Sequence, residues 1–298
     1  MNNILIVGTG ALATLFAARL AQAGHPITML GSWQAGLEAL RAHGARMLAN
    51  GEEHHFEVRA IDDPRKCPGI KYALVLVKAW QTEHAAVQLK ECLAEDGLAV
   101  TLQNGLGNRE TLARSLGRGR VALGTTTTGA TLLGPGRVRV GGEGTISIEQ
   151  NPALGPLETV LRSAQFNVNV VEDAQSLVWG KLVINAAINP LTALLRVPNG
   201  ELLERPAARQ MMGTLAVETA NVAKAENVDL PFPDPVAAAE EVARKTAANH
   251  SSMLQDVLRG APTEIDAICG AVVNAAQTHK IDTPANWACW KLVRALAD

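Results

Sequence analysis

The sequence predicts an α/β N-terminal half, a doubly wound parallel sheet, joined to an all-helical C-terminal domain. Three observations carry that expectation. Short continuous apolar runs alternate with helical patterns early in the chain, the first run passes straight into a glycine-rich turn, and long Ala-, Leu- and Val-rich helical patterns dominate from about residue 173. Continuous apolar runs separated by helices suit parallel strands covered on both faces, whereas strands with one wet face would alternate.

Taken in order, residues 4–7 (Ile-Leu-Ile-Val) read as a buried strand and 11–23 as a helix ended by Gly24. A strand over 27–30 and a helical stretch over 37–43 follow, then a strand at 73–77, a helix at 82–93 and a strand at 98–102. Past Val121 the character changes: Gly134-Pro135-Gly136 separates Thr/Val-rich segments, and 138–140 and 145–149 read as short strands of a turn-linked extension. The later helical patterns break at Pro190, Pro198, the 231–235 segment and Gly260-Ala261-Pro262. The composition shift divides the chain into domains 1–171 and 172–298.

Composition narrows the function classes. Of 298 residues, 47% are apolar and 19% charged, as in a globular protein with a sizeable core. A net charge of −2 without a Lys/Arg run argues against nucleic acid as a partner. Apolar stretches short of the roughly 18 residues that span a bilayer, and an opening Met1-Asn2-Asn3 without basic residues, lead us to expect a cytoplasmic protein with no membrane partner. Cys67, Cys92, Cys269 and Cys289 are scattered, with neither a C-x-x-C pair nor a His cluster, so reduced core thiols are expected and no metal site.

The turn after the first strand is Gly8-Thr9-Gly10-Ala11-Leu12-Ala13, a G-x-G-x-x-A pattern opening a helix. Gly8 permits the tight turn, Gly10 lets a pyrophosphate approach the backbone, and Ala13 lets helix and strand pack closely. The helix N-terminus then offers free N–H groups to phosphates. Placed between a strand and a helix, with a second strand following, the pattern points to a Rossmann-like dinucleotide site rather than an idle turn. The second strand ends in Leu30-Gly31-Ser32-Trp33-Gln34. An acid there would favour a free ribose 2′-OH and an Arg a 2′-phosphate; Ser32 could donate to either.

Other polar residues follow strand ends, where open parallel sheets bind ligands. Lys78 directly follows the 73–77 run, and Gln103-Asn104-Gly105 follows 98–102. A solvated strand end and an Asn-Gly turn are the plainer readings. In the helical half, Lys181, Asn185 and Asn189 recur at i, i+4, i+8 on a helix otherwise made of Trp, Leu, Val and Ile. A mostly apolar helix is buried, and a buried polar stripe needs partners. Desolvation pulls a lysine's pKa towards working pH, which suits a proton donor. Farther on, Ser251 or Ser252 could cap a helix with Asp256 as its first-turn charge, and Glu264 could be a helix first-turn acid.

Together these residues resemble the ketopantoate reductase (2-dehydropantoate 2-reductase) family. The likeness rests on the Gly8-Thr9-Gly10-Ala11-Leu12 loop, Val77-Lys78, Gln103-Asn104-Gly105, Lys181-Leu182…Asn185…Asn189-Pro190-Leu191-Thr192, and Ser251 to Asp256 with Thr263-Glu264-Ile265-Asp266, all in order. It implies a dinucleotide-binding N-terminal domain and a helical substrate domain. Lys181 would be the catalytic acid and Glu264 a substrate-binding or catalytic carboxylate. Asn185, Asn189 and Ser252 would meet the substrate's carboxylate and hydroxyls, with Asn199 and Asn249 matching further asparagines near that site. Gly8, Thr9, Gly10, Ala11, Leu12, Ser32, Lys78 and Asn104 would serve the cofactor, Lys78 and Asn104 positioning substrate as well. The implied reaction reduces a small 2-oxo acid, 2-dehydropantoate, to pantoate in pantothenate biosynthesis. The family commonly carries an Arg after the second strand, against the 2′-phosphate of NADPH; here Ser32 stands there, which leaves NADPH as the default and NADH as an alternative. Two other readings are a paralogue reducing another 2-oxo acid and a dinucleotide-sensing protein without turnover, which would need no proton donor. The apolar helical half would support a homodimer, and ordinary core packing explains the same pattern.

Overall fold

The computed structural model describes residues 4–296; residues 1–3, whose lack of basic side chains entered the expectation above, and 297–298 lie outside it. Contacts divide the chain into two compact units. The first comprises Met1–Gln103 and Asn108–Ala174, the second Asn104–Gly107 and Gln175–Asp298.

The first unit runs β1 (Ile4–Val7), α1 (Ala11–Gln22), β2 (Ile27–Leu30), α2 (Gln34–His43), β3 (Ala45–Ala49), β4 (Glu52–Phe56), β5 (Arg59–Ile61) and β6 (Ile70–Val75). It continues through α3 (Thr82–Cys92), β7 (Leu93–Thr101), α4 (Asn108–Leu116), β8 (Val121–Thr126), β9 (Gly129–Gly134), β10 (Arg137–Gly142), β11 (Thr145–Glu149), α5 (Gly155–Ser163) and β12 (Asn167–Val171). Eight strands form the main sheet in the order β12-β11-β8-β7-β6-β1-β2-β5. Every neighbouring pair is parallel except β11 against β8. The chain leaves β1 first towards β2 and later crosses to β6 on the other side, so the strand order reverses beside β1. Side chains of β1 alternate between two cores. Ile4 and Ile6 pack with α1 and α5, while Leu5 and Val7 pack with α3 and α4. The doubly wound expectation therefore holds.

Two features of this unit go beyond the expectation. A second sheet, β4-β3-β10-β9, takes in 137–142, so that segment does not simply extend the first sheet, whereas β11 does join it, antiparallel to β8. The β3–β4 hairpin is not among the predicted elements, although Asn50-Gly51 signals it. Both residues have positive φ (51° and 85°) in a two-residue turn, the conformation that Asn-Gly adopts most readily.

The second unit is helical, as expected: α6 (Ala174–Leu195), α7 (Glu201–Glu204), α8 (Pro206–Ala225), α9 (Pro235–Lys245), α10 (Ser252–Leu258), a π-helical turn at Asp266–Gly270, α11 (Ala271–Thr278) and α12 (Pro284–Arg294). The predicted break at Pro190 is wrong, because α6 runs through it. An internal proline costs about 3 kcal/mol or more. Pro190 is itself buried, flanked in the core by Ile188, Leu191 and Ala193, and that burial offsets the lost backbone bond. The expectation of no span-length apolar stretch also needs amending. Among the described residues α6 alone is long and apolar enough to cross a membrane, but 72% of its apolar window is buried inside the protein, as in a core helix. All four cysteines are buried and free.

One buried carboxylate organises the far end of this unit. Helix α12 begins without a capping side chain of its own. Glu218 of α8 instead accepts the N–H groups of Ala285 and Asn286 and the Asn286 Nδ2, each at 2.9 Å. Cutting that acceptor away strands two buried backbone N–H groups and leaves Asn286 Nδ2 only its longer bonds to Leu215 O and Thr219 Oγ1, so Glu218→Ala is expected to lower unfolding free energy by at least about 2 kcal/mol. Urea unfolding measures it; an unchanged midpoint would show that the cap carries no stability.

Candidate active site

The site is built on α6. Its first half is apolar on most faces, with Trp179, Leu182, Val183, Ala186 and Ala187 in the core. Lys181, Asn185 and Asn189 form the polar stripe that the spacing predicted; Lys181 and Asn185 are half-buried and Asn189 is buried. Gly180 lets the chain close over this turn, since a Cβ there would lie 2.6 Å from Pro231 Cγ.

Although some of Lys181's surface is accessible, protein surrounds it densely. That desolvation brings its ammonium from the ordinary 10.5 down to about 8, and the nearby negative charge of Glu264 partly opposes the fall. Glu264 is buried and accepts a 3.1 Å hydrogen bond from Asn104 Nδ2. It is therefore not a solvated first-turn acid. Its residue precedes the π-helical turn, with its carbonyl accepting from Ala267 and Ile268 N–H, both at 3.1 Å. Such turns are often found at functional sites.

The 104–107 loop fits this turn tightly. Leu106 N–H donates to Ala267 O at 3.0 Å, and Gly105 has φ +81° with its absent Cβ only 2.3 Å from the same oxygen. The Asn-Gly pair is thus a close approach as well as a turn. Three predicted residues, Lys181, Glu264 and Asn104, thus lie near one another.

The other predicted residues divide. Ser251, not Ser252, caps α10, accepting Leu254 N–H at 3.1 Å, and Asp256 lies in that helix's later part, buried and paired with Arg259 at 2.8 Å. Thr192 Oγ1 of α6 lies 2.7 Å from Ser251 Oγ and within 3.1 Å of Ile188 O and 3.0 Å of Asn189 O. Ser252 is half-buried beside that cap. Asn199 is buried, donating Nδ2 to Thr246 Oγ1 at 2.8 Å, while its Oδ1 is buried with no hydrogen-bond partner. Asn249 is exposed, and it is its carbonyl that meets Asn199, accepting that N–H at 3.0 Å.

In the first unit, the glycine loop has the form that an anion requires. Gly8 (φ +129°) donates its N–H to Leu30 O at 2.7 Å, and a Cβ there would press on the Leu76 backbone at 3.2 Å. Above Gly10 nothing lies within 4 Å of where a Cβ would be. Helix α1 starts at Ala11 and Leu12 with no capping side chain and no acid in its first turn, so its N–H groups stay available to phosphates. Thr9 is buried against Gly31, and Ser32 is exposed. Lys78 leads into a short 3₁₀ turn, its N–H bonded to Gln81 Oε1. Gln103 donates to Val77 O (3.0 Å) and Thr82 Oγ1 (2.8 Å), and Thr82 in turn lies 2.8 Å from Asn108 Oδ1. Thr82 and Asn108 carry no local sequence signal of this network, since the packing of α3 on α4 brings them together across 26 positions of chain. The residues present fit a dinucleotide.

Family models decide what the geometry is similar to. Residues 4–153 match the model described as ketopantoate reductase PanE/ApbA, and residues 173–297 match its C-terminal counterpart. The chain belongs to the ketopantoate reductase family. It is 35% identical to a 2-dehydropantoate 2-reductase of Archaeoglobus fulgidus, covering 99% of this chain and 98% of that one. The crystal structure of a PanE/ApbA family ketopantoate reductase from Ralstonia eutropha matches with a TM-score of 0.92 and 32% identity, over 99% of this chain and 98% of that one. A ternary structure of D-mandelate dehydrogenase with NADH and anilino(oxo)acetate matches with a TM-score of 0.93 and 25% identity, over 99% and 98%.

The Gly105 contact makes a direct prediction. Gly105→Ala adds a left-handed-region penalty of about 1–2 kcal/mol and a clash with Ala267 O. The variant is expected to melt at lower temperature and to free Asn104 from Glu264, which a crystal structure or amide chemical shifts of the variant would reveal. Wild-type stability would disprove the tight fit.

Proposed function

We propose that this chain reduces the keto group of a small 2-oxo acid, 2-dehydropantoate foremost, in the cytoplasm. What carries the reading is one arrangement: a desolvated lysine beside a buried carboxylate that an asparagine amide holds in place. A bound reduced nicotinamide dinucleotide, NADPH by family default with NADH also accepted, supplies the hydride. Gly8, Thr9, Gly10, Ala11 and Leu12 take its pyrophosphate, Ser32 its ribose, and Lys78 and Asn104 position it and the substrate.

Lys181, as ammonium, hydrogen-bonds the keto oxygen and delivers a proton to it as the carbon becomes tetrahedral. The 2-oxo acid, the reduced dinucleotide and one proton thus give the 2-hydroxy acid and the oxidised dinucleotide. A donor aimed at developing negative charge is worth about 3–4 kcal/mol at oxyanion sites. Glu264 keeps the ammonium protonated and helps seat the substrate. Asn185, Asn189, Asn199, Asn249 and Ser252 hold the substrate's carboxylate and hydroxyls. A lysine poised in this way argues against a sensor without turnover.

A second reading keeps the chemistry and changes the acid, favoured by the likeness to D-mandelate dehydrogenase in complex with a bulkier oxo-acetate. Following dinucleotide absorbance with 2-dehydropantoate and a panel of 2-oxo acids, under NADPH and NADH separately, tests both. Oxidation of neither dinucleotide with any 2-oxo acid would sink the proposal.

Lys181→Ala is expected to lower kcat at least about a hundredfold while leaving the dinucleotide Kd nearly unchanged. Stopped-flow and calorimetric measurements separate these, and an unaltered kcat removes Lys181 from the reaction. Activity should also fall as pH rises through about 8, because deprotonation removes the donor. Glu264→Gln takes away the charge that raises the Lys181 pKa, so the basic limb of the kcat/KM profile should move to lower pH and KM for the acid should rise. A limb that stays put would refute the coupling.

A further inference from the structure

Beyond the 2-oxo acid site, the end of β2 carries a feature to which the family reading assigns no role. The proposal drawn from it rests on the dinucleotide reading above. We propose that Trp33 binds the adenine of the dinucleotide against its indole face, and that this chain consequently takes NADH and NADPH with little discrimination.

The position is set by backbone contacts. Gly31 N–H donates to Ile61 O at 3.1 Å, and a Cβ on Gly31 would lie 2.8 Å from Thr9 Cγ2. The chain leaving β2 is thereby pressed against the glycine loop, and Ser32 and Trp33 emerge directly beside the phosphate site. Trp33 is the residue before α2, its carbonyl accepting Leu37 N–H at 3.0 Å.

The indole has a seat. Gly36, one turn on, is buried, and a Cβ there would lie 2.5 Å from Trp33 Cε3 and 3.1 Å from Cδ2 and Cζ3. Only glycine lets the ring lie on the first turn of α2. Trp33 still exposes 39% of its surface, so the seat on Gly36 leaves part of the residue accessible. Exposure alone would mean little, since Trp80 and Trp287 are more exposed. What distinguishes Trp33 is a ring seated beside the glycine turn to which the reading above gives the phosphates, and next to Ser32, to which it gives the ribose that carries the base.

Charge explains the lack of discrimination. Residues 30–36 contain neither an acid to accept from a ribose 2′-OH nor a cation to meet a 2′-phosphate. The neighbouring strand β5 ends at Ile61, and the cations near it are already engaged. Arg41 and Lys66 both pair with Asp62, at 3.2 and 3.1 Å, and Arg41 Nε also donates to Ala60 O at 3.0 Å. Stacking is indifferent to the 2′ substituent, so affinity that comes from the ring serves both dinucleotides.

Isothermal titration of the purified protein with NADH, NADPH and ADP-ribose tests this. The wild-type Kd values for NADH and NADPH are expected within about tenfold of each other, and Trp33→Ala should weaken all three ligands roughly tenfold and to a similar degree. Trp33→Phe should retain most of the affinity, and Gly36→Ala should reproduce the loss with the indole present but unseated. Circular dichroism confirms that each variant is folded. Trp33→Ala binding with wild-type Kd, or a wild-type preference of a hundredfold or more for one dinucleotide, overturns the proposal while leaving the reductase reading intact. Wild-type protein that binds neither dinucleotide overturns both.

Discussion

The helical unit is arranged around the cost of desolvating one amine. Lys181 sits on a helix whose other faces are core, and water is too scarce there to hold the ammonium at its usual pKa. Glu264 returns part of that stabilisation, but only because its own carboxylate is buried, directed and hydrogen-bonded. Either group alone would be a burden on the fold. Together they set an ammonium whose pKa lies at about 8.

Several otherwise unrelated details serve that arrangement. Gly180 admits Pro231 against the helix next to the lysine, thickening the protein around it. A proline inside α6 is tolerated because tight burial holds the helix together on both sides of it. The π-helical turn widens the backbone after Glu264, and the 104–107 loop docks its N–H on that turn. Farther along, Trp290 Nε1 donates to Asp266 at 2.6 Å and lies over Gly270, so α12 braces the turn from outside. Glu218 anchors the start of α12 in its turn.

What could be read from the sequence followed periodicity and local turn chemistry. The parallel strands, the Gly8–Gly10 loop and the Lys181/Asn185/Asn189 stripe all express themselves within a few residues of one another. Pro190 misled because a local rule against proline yields to tertiary burial that no window of sequence displays. The β3–β4 hairpin escaped for the opposite reason: Asn50-Gly51 announces it, but its strand Glu-Glu-His-His-Phe is polar and exposed and gives no apolar run. The role proposed for Glu264 came only through the family likeness, since its interactions with Lys181 and Asn104 span 83 and 160 positions of chain. Whether Ser251 or Ser252 capped a helix was likewise undecided by pattern.

The cap of α10 reaches beyond its own helix. Thr192 has one hydroxyl hydrogen, and two of its three neighbours, Ile188 O and Asn189 O, are carbonyls that can only accept. The shortest contact of that hydroxyl is the one to Ser251 Oγ, which accepts from Thr192 at 2.7 Å and so joins α6 to the start of α10. Ser251 meanwhile accepts from Leu254 N–H. One buried hydroxyl thus ties the start of α10 to α6, so the loss of Ser251 would remove both the cap and the contact between those two helices.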